Sequence, residues 1–90
     1  MEVTSVEVKA VDYEDNNLLA WVVIVLDEEF LVRNIRLVEA HSGPVVAMPN
    51  EEFQGELRDI AHPVTRECRQ KIEEAVFEEY NSQVEPARQL

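Results

Sequence analysis

The stretch Leu18-Leu19-Ala20-Trp21-Val22-Val23-Ile24-Val25-Leu26 decides the fold. It carries no charge, is rich in β-branched side chains, and is bounded by Asn16-Asn17 on one side and Asp27-Glu28-Glu29 on the other. A short, continuous apolar run between turn signals reads as a central strand covered on both faces. It is only about half the length a membrane-spanning helix needs, so no membrane is implied. Successive residues of a strand point to opposite faces. One of its faces therefore presents Leu19, Trp21, Val23 and Val25, and these residues are the candidate surface for a second copy of the chain.

Working outward, Val6, Val8 and Ala10 alternate with Glu7 and Lys9, the period-two mark of a half-buried strand. Asp12–Asn17 is polar and turn-forming. After Asp27-Glu28-Glu29, residues 30–39 read as a third strand that includes Arg33 and Arg36. Ala40-His41-Ser42-Gly43-Pro44 is a turn, Val45–Met48 a short fourth strand stopped by Pro49, and Glu56–Ile60 a fifth. The acidic stretch Asn50–Gln54 reads as a loop closed by Gly55. His62-Pro63 then halts the chain, and Thr65 is a good N-cap for a helix running to about Tyr80. Cys68, Ile72, Ala75, Val76 and Tyr80 form its apolar stripe. The reading is one α+β domain over residues 1–80, a small antiparallel sheet of four to five strands packed by one C-terminal helix. Residues 81–90 read as a frayed or disordered tail. A chain of 90 residues has a thin core. With one helix to cover one face of the sheet, the other face points to a homodimer.

Charge and cysteine content narrow the function classes. Nineteen acidic residues against eight basic ones give a formal net charge of −11, which opposes polyanions through the whole-molecule field. The single Cys68 permits no intrachain disulfide and fits a reducing cytoplasm. The start, Met1-Glu2-Val3-Thr4, has neither the basic nor the long apolar region of a secretory leader, so a cytoplasmic location is expected. His41, Asp59, His62 and Cys68 are the only plausible metal-ligand set, and no two of them have zinc-site spacing. A Cys68–His62 nucleophile pair finds no oxyanion site nearby, and Cys68 begins the apolar stripe. The pairs Glu28-Glu29, Glu51-Glu52, Glu73-Glu74 and Glu78-Glu79 diverge as sequence neighbours must, which makes them solvated faces rather than acid/base dyads. No catalytic residue, metal or cofactor is expected.

The charge order along the helix is unusual. Arg66, Arg69 and Lys71 occupy its first half, with Arg58 shortly before, while Glu73, Glu74, Glu78 and Glu79 crowd its second half. The helix dipole favours the reverse order, by about 0.3–1 kcal/mol per exposed charge. Two readings follow: the four bases pair with acids elsewhere on this acidic chain, or they form a small phosphate-contacting patch.

Several segments together carry a family resemblance. Met1-Glu2-Val3-Thr4, Ile35-Arg36, Val46-Ala47-Met48-Pro49, Arg58-Asp59-Ile60-Ala61-His62-Pro63, Lys71-Ile72 and Glu79-Tyr80 resemble, in this order and spacing, the stage V sporulation protein G (SpoVG) family of septation proteins. The resemblance runs from residue 1 to about residue 80. It implies a bacterial cytoplasmic regulator linked to septation, sporulation and gene expression, dimeric through its sheet, with DNA or RNA binding in several members and no enzymatic activity. The helix-start bases Arg69 and Lys71 match the family pattern. Where family members typically carry a serine followed by lysine and arginine, this chain has Asn50-Glu51-Glu52-Phe53. Exchanging two cations for two anions weakens any phosphate contact and lowers its salt dependence. Two functions are therefore expected to compete: a dimeric regulator that binds DNA or RNA weakly through Arg58, Arg66, Arg69 and Lys71, and an acidic adaptor that meets protein partners of the septation machinery.

Overall fold

The computed structural model describes residues 1–11 and 17–88. Four strands, β1 (Val3–Ala10), β2 (Leu18–Leu26), β3 (Phe30–Ala40) and β4 (Gly43–Ala47), form an antiparallel meander in the order β1-β2-β3-β4. Strands β5 (Asn50–Phe53) and β6 (Glu56–Asp59) pair only with each other, as a second sheet. Helix α1 (Arg66–Arg88) closes the chain and lies mainly across β1, with a lighter contact to β4. The architecture is α+β, as the sequence predicts.

Register explains the core. β2 pairs β1 through Val22↔Val8 and Ile24↔Val6, and pairs β3 through Val22↔Ile35 and Ala20↔Leu37. Those residues share one face of the sheet, and α1 lays Ile72 and Val76 on it. Met48 and Val46 finish the β4 side. Among the described residues no polar or charged side chain is buried, so this core is held by apolar burial, at about 25 cal/mol per Å² removed from water.

The turn after β2 is tight. Glu29 N–H donates to the Leu26 carbonyl at 2.9 Å, with Asp27 at φ 52° and Glu28 at φ 59°. Two left-handed central residues make the turn twist with the flanking strands. The start of β1 braces it: Glu2 N–H donates to Asp27 Oδ1 and Glu28 N–H to Thr4 Oγ1, both at 2.8 Å.

Thr65 caps α1 as expected. Its Oγ1 accepts from Cys68 N–H at 3.1 Å, and its carbonyl accepts from Arg69 N–H at 3.1 Å. Ile72 and Val76 of the predicted stripe are buried, and Cys68, Ala75 and Tyr80 are half-buried. Phe77, absent from the predicted stripe, also packs against the core.

Three expectations change. Glu56–Ile60 does not join the main sheet; its first four residues pair with Asn50–Phe53, which is a strand and not a loop. Gln54 (φ 53°) and Gly55 (φ 83°) supply the two left-handed positions of the hairpin turn between them. The helix continues past Tyr80 to Arg88 where the sequence reads as a frayed or disordered tail. Gln83 anchors that extension, its Nε2 donating to the Val8 carbonyl at 2.9 Å and to Glu79 Oε2 at 3.1 Å. The turn read at Asp12–Asn17 lies, except for Asn17, outside the described residues, as do residues 89 and 90 of the tail.

Candidate interaction surfaces

The face of β2 turned away from α1 is the first candidate. Alternation places Trp21, Val23 and Val25 there, beside Ser5, Glu7 and Lys9 of β1. On the β3 side Leu31 lies opposite Val25 and Arg36 opposite Trp21. Beyond these, Val38 faces Val45 of β4. Trp21 is 42% exposed, Leu31 48% and Val45 40%, while Val23 and Val25 are half-buried. Together these residues form an apolar strip that the described part of the chain leaves without cover. Leu19 departs from the predicted set. The register slips between Leu18 and Ala20, and Leu19 packs against the core cluster instead of lining up with Trp21.

A second slip, between Val22 and Ile24, sets Arg33 and Asn34 together opposite Val23. Asn34 sits at φ 65°, as an asparagine at a bulge tolerates. Arg33 and Arg36 thus join Lys9 on the uncovered side of the sheet. The sequence places both arginines within β3, and only the fold brings them beside Lys9.

The four predicted phosphate-contacting bases do not form one cluster. Residues two apart on a helix point about 200° apart, so Lys71 and Arg69 lie on opposite sides of α1, while Arg66 and Arg69 share a side. Lys71 turns toward the start of β1, where its Nζ donates to Glu2 Oε1 at 2.8 Å and to the Met1 carbonyl at 3.4 Å. The Glu2 carboxyl is held below its ordinary pKa, first by that hydrogen bond and then by the Lys71 charge, and Lys71 is held above its own. Arg69 lies 3.9 Å from Glu73. Arg58 lies 3.6 Å from Glu56, and its guanidinium sits over the Phe53 ring, 5.3 Å from the centroid. Arg66 is the one of the four with no carboxylate partner among the described residues. Each of these pairs is exposed, screened by solvent and salt, and open to displacement by a competing phosphate. What a phosphate meets, however, is a surface where acids accompany the bases.

The thiol has its own setting. Cys68 is half-buried in the first turn of α1 and lines an apolar cavity of about 220 Å³ with Leu26, Phe30, Met48 and Pro63. His62 borders the same cavity, and its Nδ1–H donates to the Pro63 carbonyl at 3.1 Å. Among the described residues no three of His, Cys, Asp and Glu gather as a metal site. No described helix is long and apolar enough to cross a membrane.

Fold and surfaces together define a small α+β sheet-and-helix domain with an uncovered apolar sheet face. The sequence profile of the SpoVG family matches residues 1–82, and the chain belongs to that family. It is 40% identical over 83 residues to a protein of Acetivibrio thermocellus named "Putative septation protein SpoVG", covering 91% of this chain and 87% of that one. A protein of the same name from Oceanobacillus iheyensis is 46% identical over 81 residues, covering 89% and 83%. SpoVG 2 of Listeria monocytogenes is 44% identical over 81 residues, covering 89% and 78%.

Proposed function

We propose that this chain is a homodimeric regulator of septation that acts by non-covalent binding in the cytoplasm. The observation that carries the reading is the uncovered sheet face, where Trp21 and Leu31 are exposed and Val23 and Val25 only half-buried in the single chain. A second copy removes that apolar area from water, at about 25 cal/mol per Å² before the costs of association. The septation role comes from the named relatives, and the link to sporulation and gene expression from the family resemblance.

Its contact with DNA or RNA is weak. Arg66, which has no carboxylate partner among the described residues, and Arg69, paired only loosely with Glu73 at 3.9 Å, supply it from one side of α1, doubled by dimer symmetry. Arg58 and Lys71 are engaged by nearer acids of the same chain. A second reading, an adaptor for protein partners that leaves nucleic acid alone, is favoured by the carboxylates beside Arg58, Arg69 and Lys71 and by the net charge of −11.

A mobility-shift titration separates the two. The regulator reading expects a shift at low salt that fades at moderate salt and is lost in Arg66→Glu with Arg69→Glu. Absence of any shift at low salt, or a shift unaltered by that double substitution, removes the nucleic-acid contact and leaves the adaptor.

A further inference from the structure

The hairpin β5–β6 has no covering of its own. Seven of its eight strand residues are exposed, Asn50 being the half-buried one, and among the described residues no other element packs extensively against it. An isolated two-stranded hairpin is marginally stable in water. Yet this one displays Phe53, 50% exposed, and Leu57, 73% exposed, on opposite faces.

Its position and charge match the uncovered sheet face. Pro49, Asn50 and Ile60 at the root of the hairpin line a cleft of about 430 Å³ with Trp21, Asn34 and Arg36, so the hairpin rises beside that face and leaves it open. Its strands carry Glu51, Glu52, Glu56 and Asp59 against Arg58 alone. The sheet face carries Lys9, Arg33 and Arg36 against Glu7, a local positive excess on a chain of net charge −11.

We propose that the hairpin β5–β6 is an arm that docks on the uncovered sheet face of a second copy of this chain. Acidic and apolar side chains of the arm meet the basic and apolar side chains of the partner's sheet. A two-fold axis makes the exchange reciprocal, so both arms and both faces are covered at once. This rests on the homodimer reading above and names what covers the face. It also accounts for how two strongly acidic chains associate, because the complementary charges sit where the copies touch.

The chain has a single tryptophan, Trp21, which lies on the face in question, so its emission and its quenching by acrylamide report whether that face is covered. The test is sedimentation equilibrium and Trp21 quenching of the full chain, repeated on Phe53→Ser with Leu57→Ser and on Glu51→Lys with Glu52→Lys. All four altered residues are exposed in the single chain, and thermal melts check that the fold is retained. The arm predicts a wild-type dimer with protected Trp21. In either double variant the dimer Kd rises at least about tenfold and Trp21 becomes accessible, the charge reversal acting more strongly at low salt. A dimer of unchanged Kd with Trp21 still protected in both variants overturns the arm and leaves the homodimer standing. A wild-type chain that is monomeric at every concentration overturns both. A wild-type dimer with Trp21 fully accessible shows pairing through another surface and overturns the arm as well.

Discussion

The two faces of β2 are built from one uninterrupted apolar run, and they meet different fates. Ala20, Val22 and Ile24 are fully buried beneath α1, whereas Trp21 keeps 42% of its surface and its neighbours Val23 and Val25 are half-buried. Hydrophobicity alone does not distinguish them. What differs is the supply of covering: the described residues form one long helix, and the cap at Thr65 and the Gln83 bond to Val8 hold it on one side of the sheet. The other face keeps its apolar side chains without cover, and the fold sets a basic fringe of Lys9, Arg33 and Arg36 around it.

That contrast can be broken most severely on the covered side. Ile24→Ala opens a cavity under α1 and should cost about 2–5 kcal/mol in a urea titration. Val23→Ser, one residue away on the other face, should change the stability of the single chain by less than about 1 kcal/mol. It should, however, weaken self-association, so that the melting temperature, which the homodimer makes concentration-dependent in wild type, becomes independent of concentration in the variant. Away from both faces, Glu28→Gly relieves a left-handed non-glycine position in the turn after β2 and should stabilise by about 0.5–1 kcal/mol, since the backbone bond to Thr4 Oγ1 is retained.

The smallest effect is expected at the exposed Lys71–Glu2 pair. Glu2 has a lowered pKa, so its contribution is present above the ordinary carboxylate range and is lost as pH falls through the lowered value. Lys71 has a raised pKa, so its contribution is present below the ordinary lysine range and is lost as pH rises through the raised value. Melting temperatures of wild type and Glu2→Gln should therefore differ slightly and constantly between the ordinary carboxylate and lysine ranges, converge only below the first and above the second, and converge in about 0.5 M salt.

Much of the architecture was legible because its signals are local. The uncharged run at β2 and the Thr65 cap need only neighbouring residues to be recognised. What depends on distant partners was not. Gln83 extends the helix by reaching a carbonyl 75 positions away, and Lys71 leaves the predicted cluster for a carboxylate 69 positions away. The hairpin was hidden for another reason. Asn50–Phe53 has no apolar alternation, and Gln54 is an uncommon residue for a left-handed turn position. Strict alternation likewise assigned Leu19 to the open face, because a register slip leaves no mark in the residues themselves.

The central claim, that a second copy covers the sheet face bearing Trp21, is tested most directly by sedimentation equilibrium of wild type beside Trp21→Ser. The account predicts a wild-type species of twice the 10.4 kDa chain mass at micromolar concentration, and a folded single-chain species for the variant. A wild-type protein that sediments as one 10.4 kDa chain throughout that range would contradict it.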